Sequence, residues 1–382
     1  MPSCRCMFEE YKPKDNTYMN DNRYCVIMAG GVTNRFWPVS RESRPKQFLD
    51  INGSGKTFIR QTYERFSKVV PPKNVLVVTL SRFADIVREQ IPELPTENLL
   101  LEPYSRNTAP CIAYSTFEVL KRNPQATIVA TPADHIIRDG DLFCKEMENV
   151  VEYAESNEVL MTVGILPDRP DTNYGYIQVK GGKATSDSDR PLQVKTFVEK
   201  PDRALAEVFC NSEEFYWNSG IFVWKASLIK EEMEKYIPDV TSVFRGWETV
   251  LGTPAEKVFL EKAYSDCPKI SIDYAVMEKT DKAWLYPGNF GWYDIDNWDS
   301  LFHMIERKDP EGNALNTINS LLREDRDNLV ITENKKKIYA IKGLKDFLVI
   351  DTEDALLICP REDKQFKDFI SGLGMPGYED FR

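Results

Sequence analysis

Two neighbouring glycines followed by a cluster of cations are the first residues in the chain whose types and spacing suggest chemistry. Gly30-Gly31 runs into Val32-Thr33-Asn34-Arg35, and Arg41, Arg44, Pro45, Lys46 and Gln47 follow within a short distance. Glycine lets backbone N–H groups approach an anion, while Arg and Lys supply the charge a polyphosphate needs. The run reads either as a polyphosphate cradle or as a tight turn with a solvated basic loop, and spacing alone does not separate the two. Two familiar phosphate motifs fail. Gly53-Ser54-Gly55-Lys56-Thr57 ends like a Walker A loop, but the first glycine that motif requires falls on Asp50, which leaves a surface turn before a helix. No Gly-x-Gly-x-x-Gly follows the first strand, so a dinucleotide-dependent dehydrogenase loses its main support.

Carboxylates that would complete phosphate chemistry stand far from this loop. Asp134 lies in Thr131-Pro132-Ala133-Asp134-His135 and Asp294 in Gly291-Trp292-Tyr293-Asp294-Ile295-Asp296. Mg²⁺ on a nucleotide commonly takes one or two protein carboxylates, so this pair would suffice. Each aspartate reads equally as a helix N-cap or a turn residue. The chain has only two histidines, His135 and His303, which disfavours His-rich metal sites and Ser-His-Asp catalysis. His135 itself reads as a hydrogen-bonded structural residue rather than a ligand.

Elements able to position these residues follow from the hydrophobic pattern. The apolar run Tyr24–Ala29 stops at Gly30, as a buried parallel strand entering a tight loop does. Similar runs cover Val75–Leu80, Ala126–Ala130, Val159–Ile165, Tyr174–Val179, Val194–Val198 and Ile221–Trp224. Helical spacing fills Thr57–Val69, Arg82–Gln90, Ala109–Lys121 and Leu142–Glu155. This alternation predicts an α/β domain with a mainly parallel mixed sheet, whose ligands lie beyond the carboxyl ends of the strands. After residue 308 the pattern changes to short β-like runs, Leu329–Thr332, Lys337–Ile341, Phe347–Ile350 and Leu356–Cys359, then a helix over Glu362–Ile370. The expected division is an extension over 1–22, a large domain over 23–308 and a small β-rich domain over 309–382.

Bulk composition limits the partners. A net charge of −11 over 382 residues argues against nucleic acid or an anionic membrane surface, both of which need a cationic face. No apolar leader opens the chain and no stretch approaches the roughly 20 apolar residues of a membrane span, so a cytoplasmic protein is expected. Eight scattered cysteines without a Cys-x-x-Cys pair read as reduced thiols.

AGGVTNRFWPVSRESRPKQFL (29–49) resembles the signature loop of the sugar-nucleotide pyrophosphorylases, and its PKQF ending resembles the mannose-1-phosphate guanylyltransferases among them. LEPYSRNTAPCIA (101–113), TPADH (131–135), GILPDRPDTNYGYI (164–177), FVEKP (197–201), WNSGIFVW (217–224), SIDYAVMEK (271–279) and GWYDIDNW (291–298) follow in the family's order. One such peptide is weak evidence; eight in series are specific. The resemblance implies a Rossmann-like nucleotidyltransferase domain and a C-terminal domain built as a partial left-handed β-helix that aids homodimer formation. It also implies a single activity, since the chain ends before the isomerase domain of bifunctional members.

Carried over position by position, the resemblance gives Arg35 and Lys46 the catalytic role of holding the triphosphate, with Gly30 and Gly31 against the nucleotide. Glu102, Pro103, Arg106 and Asn107 would border the guanosine pocket. Gly175, Glu199 and Asn218 would bind sugar hydroxyls, Lys200 the sugar phosphate, and Asp134 with Asp294 would hold Mg²⁺. The implied substrates are GTP and mannose 1-phosphate. Rival readings are the same transfer to another hexose or heptose 1-phosphate, or a sugar-nucleotide-binding regulatory subunit with weak catalysis. Two departures from the family motivate the last of these: Thr33 and Asp296 stand where glycines are usual. Asp296 would either assist the metal or cap the helix that follows it. Trp217, Phe222 and Trp224 read as core or pocket wall.

Overall fold

The computed structural model describes residues 20–185, 190–363 and 365–381. Residues 1–19 of the expected extension lie outside this range. β1 (Arg23–Met28), β2 (Val75–Leu80), β3 (Leu99–Glu102) and β4 (Thr127–Pro132) are short, apolar and hydrogen-bonded in parallel in the order β3-β2-β1-β4. All six residues of β2 are buried, because helices cover both faces of the sheet. Along β1, Tyr24 and Val26 face one apolar cluster and Cys25 and Ile27 the other, as the two-residue period of a strand requires.

β5 (His135–Ile137) leaves the sheet, which continues with β6 (Leu160–Ile165), β7 (Tyr176–Val179), β8 (Leu192–Val198), β9 (Phe215–Lys225) and β10 (Ala283–Gly288). The full order is β3-β2-β1-β4-β9-β6-β10-β8-β7. β9 runs against β4, β6 and β7, and β8 runs against β7 and β10, so the other seven of the nine strands share one direction. The sheet is therefore mixed, with a parallel majority. Helix Gly140–Ser156 shows why the layers hold: Phe143, Met147, Val150, Val151 and Ala154 recur at helical spacing and are all buried. Each large apolar side chain in that stripe contributes roughly 1.5–3 kcal/mol relative to exposure.

One small ribbon decides where the acidic residues end up. β5 pairs antiparallel with β11 (Trp292–Asp294), setting Asp294 opposite His135 although the two are far apart in the chain.

The C-terminal part begins with β12 (Ala314–Leu315), β13 (Ser320–Arg323), β14 (Leu329–Thr332), β15 (Tyr339–Lys342), β16 (Phe347–Asp351) and β17 (Leu356–Pro360). β12, β14 and β16 stack in parallel, β17 closes them antiparallel, and β13 pairs in parallel with β15. Buried asparagines tie successive turns: Asn313 Oδ1 accepts from Asn328 N at 2.9 Å, and Asn328 Oδ1 accepts from Phe347 N at 2.9 Å. This part shares a core with the large domain. Ala314, Leu329, Leu348, Ile350 and Leu357 form one cluster with Phe36, Phe58, Ile295, Trp298 and Phe302.

The same junction holds the glycine loop from behind. Trp37 Nε1 and Arg41 Nη1 both donate to the Phe381 carbonyl at 2.7 Å, while Arg41 Nε reaches Pro38 O at 2.6 Å and Nη2 reaches Asp354 at 2.7 Å. Arg41, grouped by sequence with the phosphate-facing cations, is thus committed to the C-terminal segment. No helix among the described residues is long and apolar enough to cross a membrane.

Arg41→Ala removes three donated hydrogen bonds from a charged group and should cost about 1–3 kcal/mol in urea denaturation. An unchanged midpoint would show that the junction does not depend on this side chain.

Candidate active site

Lys46 is the residue around which the site is arranged. It sits in a single helical turn, Lys46–Phe48, after Pro45, and is only 2% exposed. Its Nζ lies 2.9 Å from Asp134 Oδ2 and 3.1 Å from Asp294 Oδ1. Burial alone would lower the ammonium's pKa, but Asp134 and Asp294 outweigh it and hold it well above the ordinary lysine range. Asp294 responds in the opposite sense: burial pushes it up, but the cationic groups around it, Lys46 foremost, together outweigh burial and its carboxyl stays below the usual range.

Neighbouring side chains hold this centre. Gln47 Nε2 donates to Ala29 O and Gly31 O, both at 2.8 Å, and so pins the start of the glycine loop to the element carrying Lys46. Tyr174 donates to the Asp294 carbonyl at 2.8 Å. His135 accepts at Nδ1 from Trp292 Nε1 at 3.1 Å. An indole only donates, so the neutral imidazole carries its proton on Nε2 and has no lone pair left for a cation. Ligand atoms of Asp134, His135 and Asp294 lie within 4.8 Å of one another, yet hydrogen-bond chemistry leaves the two aspartates as the donors. Two carboxylates at a strand's carboxyl edge suit a hard divalent cation.

Arg35 lies 3.2 Å from Asp296. That ion pair is what the unexpected Asp296 does; the following helix is capped instead by Asn297, in a reciprocal box with Ser300. Burial and then the charge of Asp294 push the Asp296 carboxyl up to about 7, against the pull of Arg35. Thr33 is no obstacle to the loop, since its φ is not positive and its hydroxyl accepts from Arg35 N at 3.3 Å.

The second group of sequence-selected residues stands at the end of β3. Glu102 is buried, takes a 3.0 Å hydrogen bond from Tyr264 Oη, and comes so close to Gly30 that a Cβ there would lie 2.8 Å from Oε2. Burial pushes its carboxyl up to about 7, partly opposed by the Tyr264 hydroxyl. Pro103 follows it, half-buried. Arg106 donates to the Tyr264 and Ser265 carbonyls at 2.8 and 3.1 Å, so it fastens that helix end rather than standing free for a ligand. Asn107 adopts φ 70° and caps helix Thr108–Arg122 through Thr108 N.

The third group surrounds a cavity of about 160 Å³ lined by Gly175, Glu199, Lys200, Asn218, Asp273 and Asp294 among others. A cavity of about 150 Å³ admits one six-membered ring, the scale of one sugar. Gly175 precedes β7 and Glu199 follows β8, brought together because Tyr176 pairs with Val198. A Cβ on Gly175 would come 2.3 Å from Glu199 Oε2, so any side chain there would push the Glu199 carboxylate from its place. Lys200 Nζ pairs with Glu199 Oε1 at 3.2 Å. Trp217, Phe222 and Trp224 are buried wall and core. Sequence reading gave no role to Gln47, Tyr174, Tyr264 or Asp273, although Asp273 was visible within SIDYAVMEK.

A glycine loop with two cations, two convergent carboxylates and an adjoining small polar cavity define a class of phosphate-transferring enzyme. The family model described as nucleotidyl transferase matches residues 24–309, and the chain belongs to this family. Among its relatives are mannose-1-phosphate guanylyltransferase 2 of Escherichia coli O157:H7, 38% identical over 89% of this chain and 71% of that protein, and the mannose-1-phosphate guanylyltransferase of Escherichia coli K12, 36% identical over 90% and 71%. A solved structure named as mannose-1-phosphate geranyltransferase from Thermus thermophilus superposes with a TM-score of 0.80 at 29% identity, covering 93% of this chain and all of that one.

Glu102 yields a pH prediction. Its carboxyl ordinarily titrates near 4.5 but is held at about 7 in the fold, so the folded chain keeps a proton the unfolded chain releases. Its contribution to stability is therefore full below pH 4.5 and falls as the pH rises to about 7. Glu102→Gln should flatten the decline between about pH 4.5 and 7 by up to about 3 kcal/mol in urea denaturation. Parallel curves for the two proteins would show that Glu102 does not titrate in this way.

Proposed function

We propose that the chain transfers GMP from GTP to α-D-mannose 1-phosphate, giving GDP-mannose and pyrophosphate. The observation that carries this reading is the convergence of Lys46 with Asp134 and Asp294 at one point, beside a sugar-sized cavity. The names and extent of the curated relatives supply the substrates.

In the proposed reaction an oxygen of the sugar phosphate attacks the α-phosphorus of GTP in line. A P–O bond forms there, the α–β bridging bond breaks, and its electron pair leaves with pyrophosphate. The nucleophile is already anionic, so no Ser, Cys or His needs activation, and catalysis reduces to positioning and charge neutralisation. Lys46 and Arg35 offset charge on the triphosphate, while the backbone at Gly30 and Gly31 lets phosphates approach. Glu102 and Pro103 border the base, with Arg106 and Asn107 shaping the wall behind them. Gly175, Glu199 and Asn218 take the sugar hydroxyls and Lys200 its phosphate. A divalent cation, for which we propose Mg²⁺, would be held by Asp134 and Asp294 and would neutralise phosphate charge.

We further propose the division into 1–22, 23–308 and 309–382, with the stacked C-terminal strands forming part of a left-handed β-helix. A cytoplasmic homodimer joined through this region fits the exposed Leu356 and Ile358 on edge strand β17.

Pyrophosphate release measured with four nucleoside triphosphates against several sugar 1-phosphates should peak for GTP with mannose 1-phosphate. A clear preference for another pair would replace this substrate assignment. Lys46→Ala and Asp134→Ala should each lower turnover about a hundredfold or more, as expected for loss of one charge-stabilising group. Near-normal rates in either variant would remove that residue from the mechanism.

A further inference from the structure

We infer that Asp273 determines sugar specificity: its carboxylate fixes the Asn218 amide and, beside Glu199, presents a second acceptor to the hydroxyls of the sugar 1-phosphate. The inference rests on the proposed sugar-phosphate transfer and deepens its sugar subsite.

Asn218 is held from every side. Its Oδ1 accepts from Gly220 N and from the Thr162 hydroxyl, both at 3.1 Å. A backbone N–H can only donate, so the amide orientation is determined and Nδ2 must face Asp273, whose Oδ1 accepts at 2.9 Å. One Nδ2 proton remains to offer a ligand. Asp273 thereby sets which way the amide points into the cavity it shares with Gly175, Glu199 and Lys200. The residue opens the helical turn Asp273–Met277, and the chain just before it is anchored by Ile272 N to Thr108 Oγ1 at 2.9 Å and by Ala109 N to Ile270 O at 3.1 Å. Its position is therefore set by the start of the long helix after β3.

Glu199 supplies the independent observation that points to a ligand. Its side chain is only 10% exposed, and its Oε2 is buried without a hydrogen-bond partner. A buried carboxylate oxygen without a donor costs free energy, and a sugar hydroxyl is the donor such a site lacks. Asp273 stands close enough that, after burial, its charge is the next cause pushing the Glu199 carboxyl up to about 7. Burial pushes Asp273 up as well. Two carboxyls crowded beside a single Lys200 make a poor packing solution. As a pair of acceptors for neighbouring hydroxyls, the same crowding becomes useful, because a site built around hydrogen-bonded hydroxyls rejects analogues that lack them.

The test compares Asp273→Asn, which can still accept from Asn218, with Asp273→Ala, which cannot, using mannose 1-phosphate and its monodeoxy analogues. Thermal unfolding of both variants establishes that they fold. Asp273→Ala should raise KM for the sugar phosphate about tenfold or more while KM for GTP stays within about twofold, and Asp273→Asn should fall between it and the parent. The parent should show a large penalty on one monodeoxy analogue, and that penalty should shrink in Asp273→Ala. Equal rises in both KM values, or deoxy penalties identical in parent and variant, would overturn the role of Asp273. Failure of the underlying reading shows separately, as absence of pyrophosphate release from the parent protein with GTP and mannose 1-phosphate; the variants are then compared on whichever sugar phosphate the parent accepts.

Discussion

A buried ammonium between two carboxylates is the interaction on which the remaining geometry depends. Burial of the almost wholly enclosed Lys46 works against its charge and Asp134 with Asp294 work for it, while the two carboxylates would repel each other without it. Three distant segments must therefore be delivered to one point: the loop after β1, the end of β4, and the ribbon strand β11. Removing one partner from such a cluster leaves an uncompensated buried charge, a larger penalty than losing an exposed pair. Most of the local architecture can be understood as support for that meeting. Gln47 ties the glycine loop to the lysine's turn, Tyr174 fixes the Asp294 backbone, and the Trp292 indole commits His135 to a structural role.

Charge around this centre is distributed unevenly, and burial explains the pattern. Glu102, Glu199 and Asp296 all have carboxyls pushed up to about 7, each with burial as the first cause. Asp294 is buried too, yet lies low, because Lys46 faces it directly. The site thus sets Asp294, held low by the buried ammonium it faces, apart from carboxyls that burial pushes up. An acidic protein can in this way bind polyphosphate with few cations, provided that they are placed where the phosphates arrive.

The C-terminal strands are bound into the site rather than appended to it. Phe36 from the loop that follows Gly30-Gly31 meets Trp298 at 5.0 Å between ring centres, and both belong to the cluster that contains Leu329 and Leu348. Trp298 also donates to Trp37 O at 3.0 Å. The conformation of the loop carrying Arg35 and Lys46 is therefore set partly by residues near the other end of the chain, through ordinary apolar packing.

Sequence alone determined the parts of this protein that are local. β2 and β14 occupy Val75–Leu80 and Leu329–Thr332 just as their apolar runs indicate, and β1 stops before Gly30 where the backbone must turn. The ordered peptides from the glycine loop to GWYDIDNW also marked the family. Short strands such as β5, β11 and β12 were invisible, since two or three residues carry no periodicity and form only because a distant partner supplies their hydrogen bonds. The use of each charge was likewise undecided: Arg41 and Arg106 have the right chemistry for phosphate or base, but their guanidinium groups go to Phe381, Tyr264 and Ser265 carbonyls. A side chain's type is written in the sequence, whereas its partner depends on which long-range contacts bury it, and tertiary structure alone decided that Lys46, Asp134 and Asp294 share one point in space.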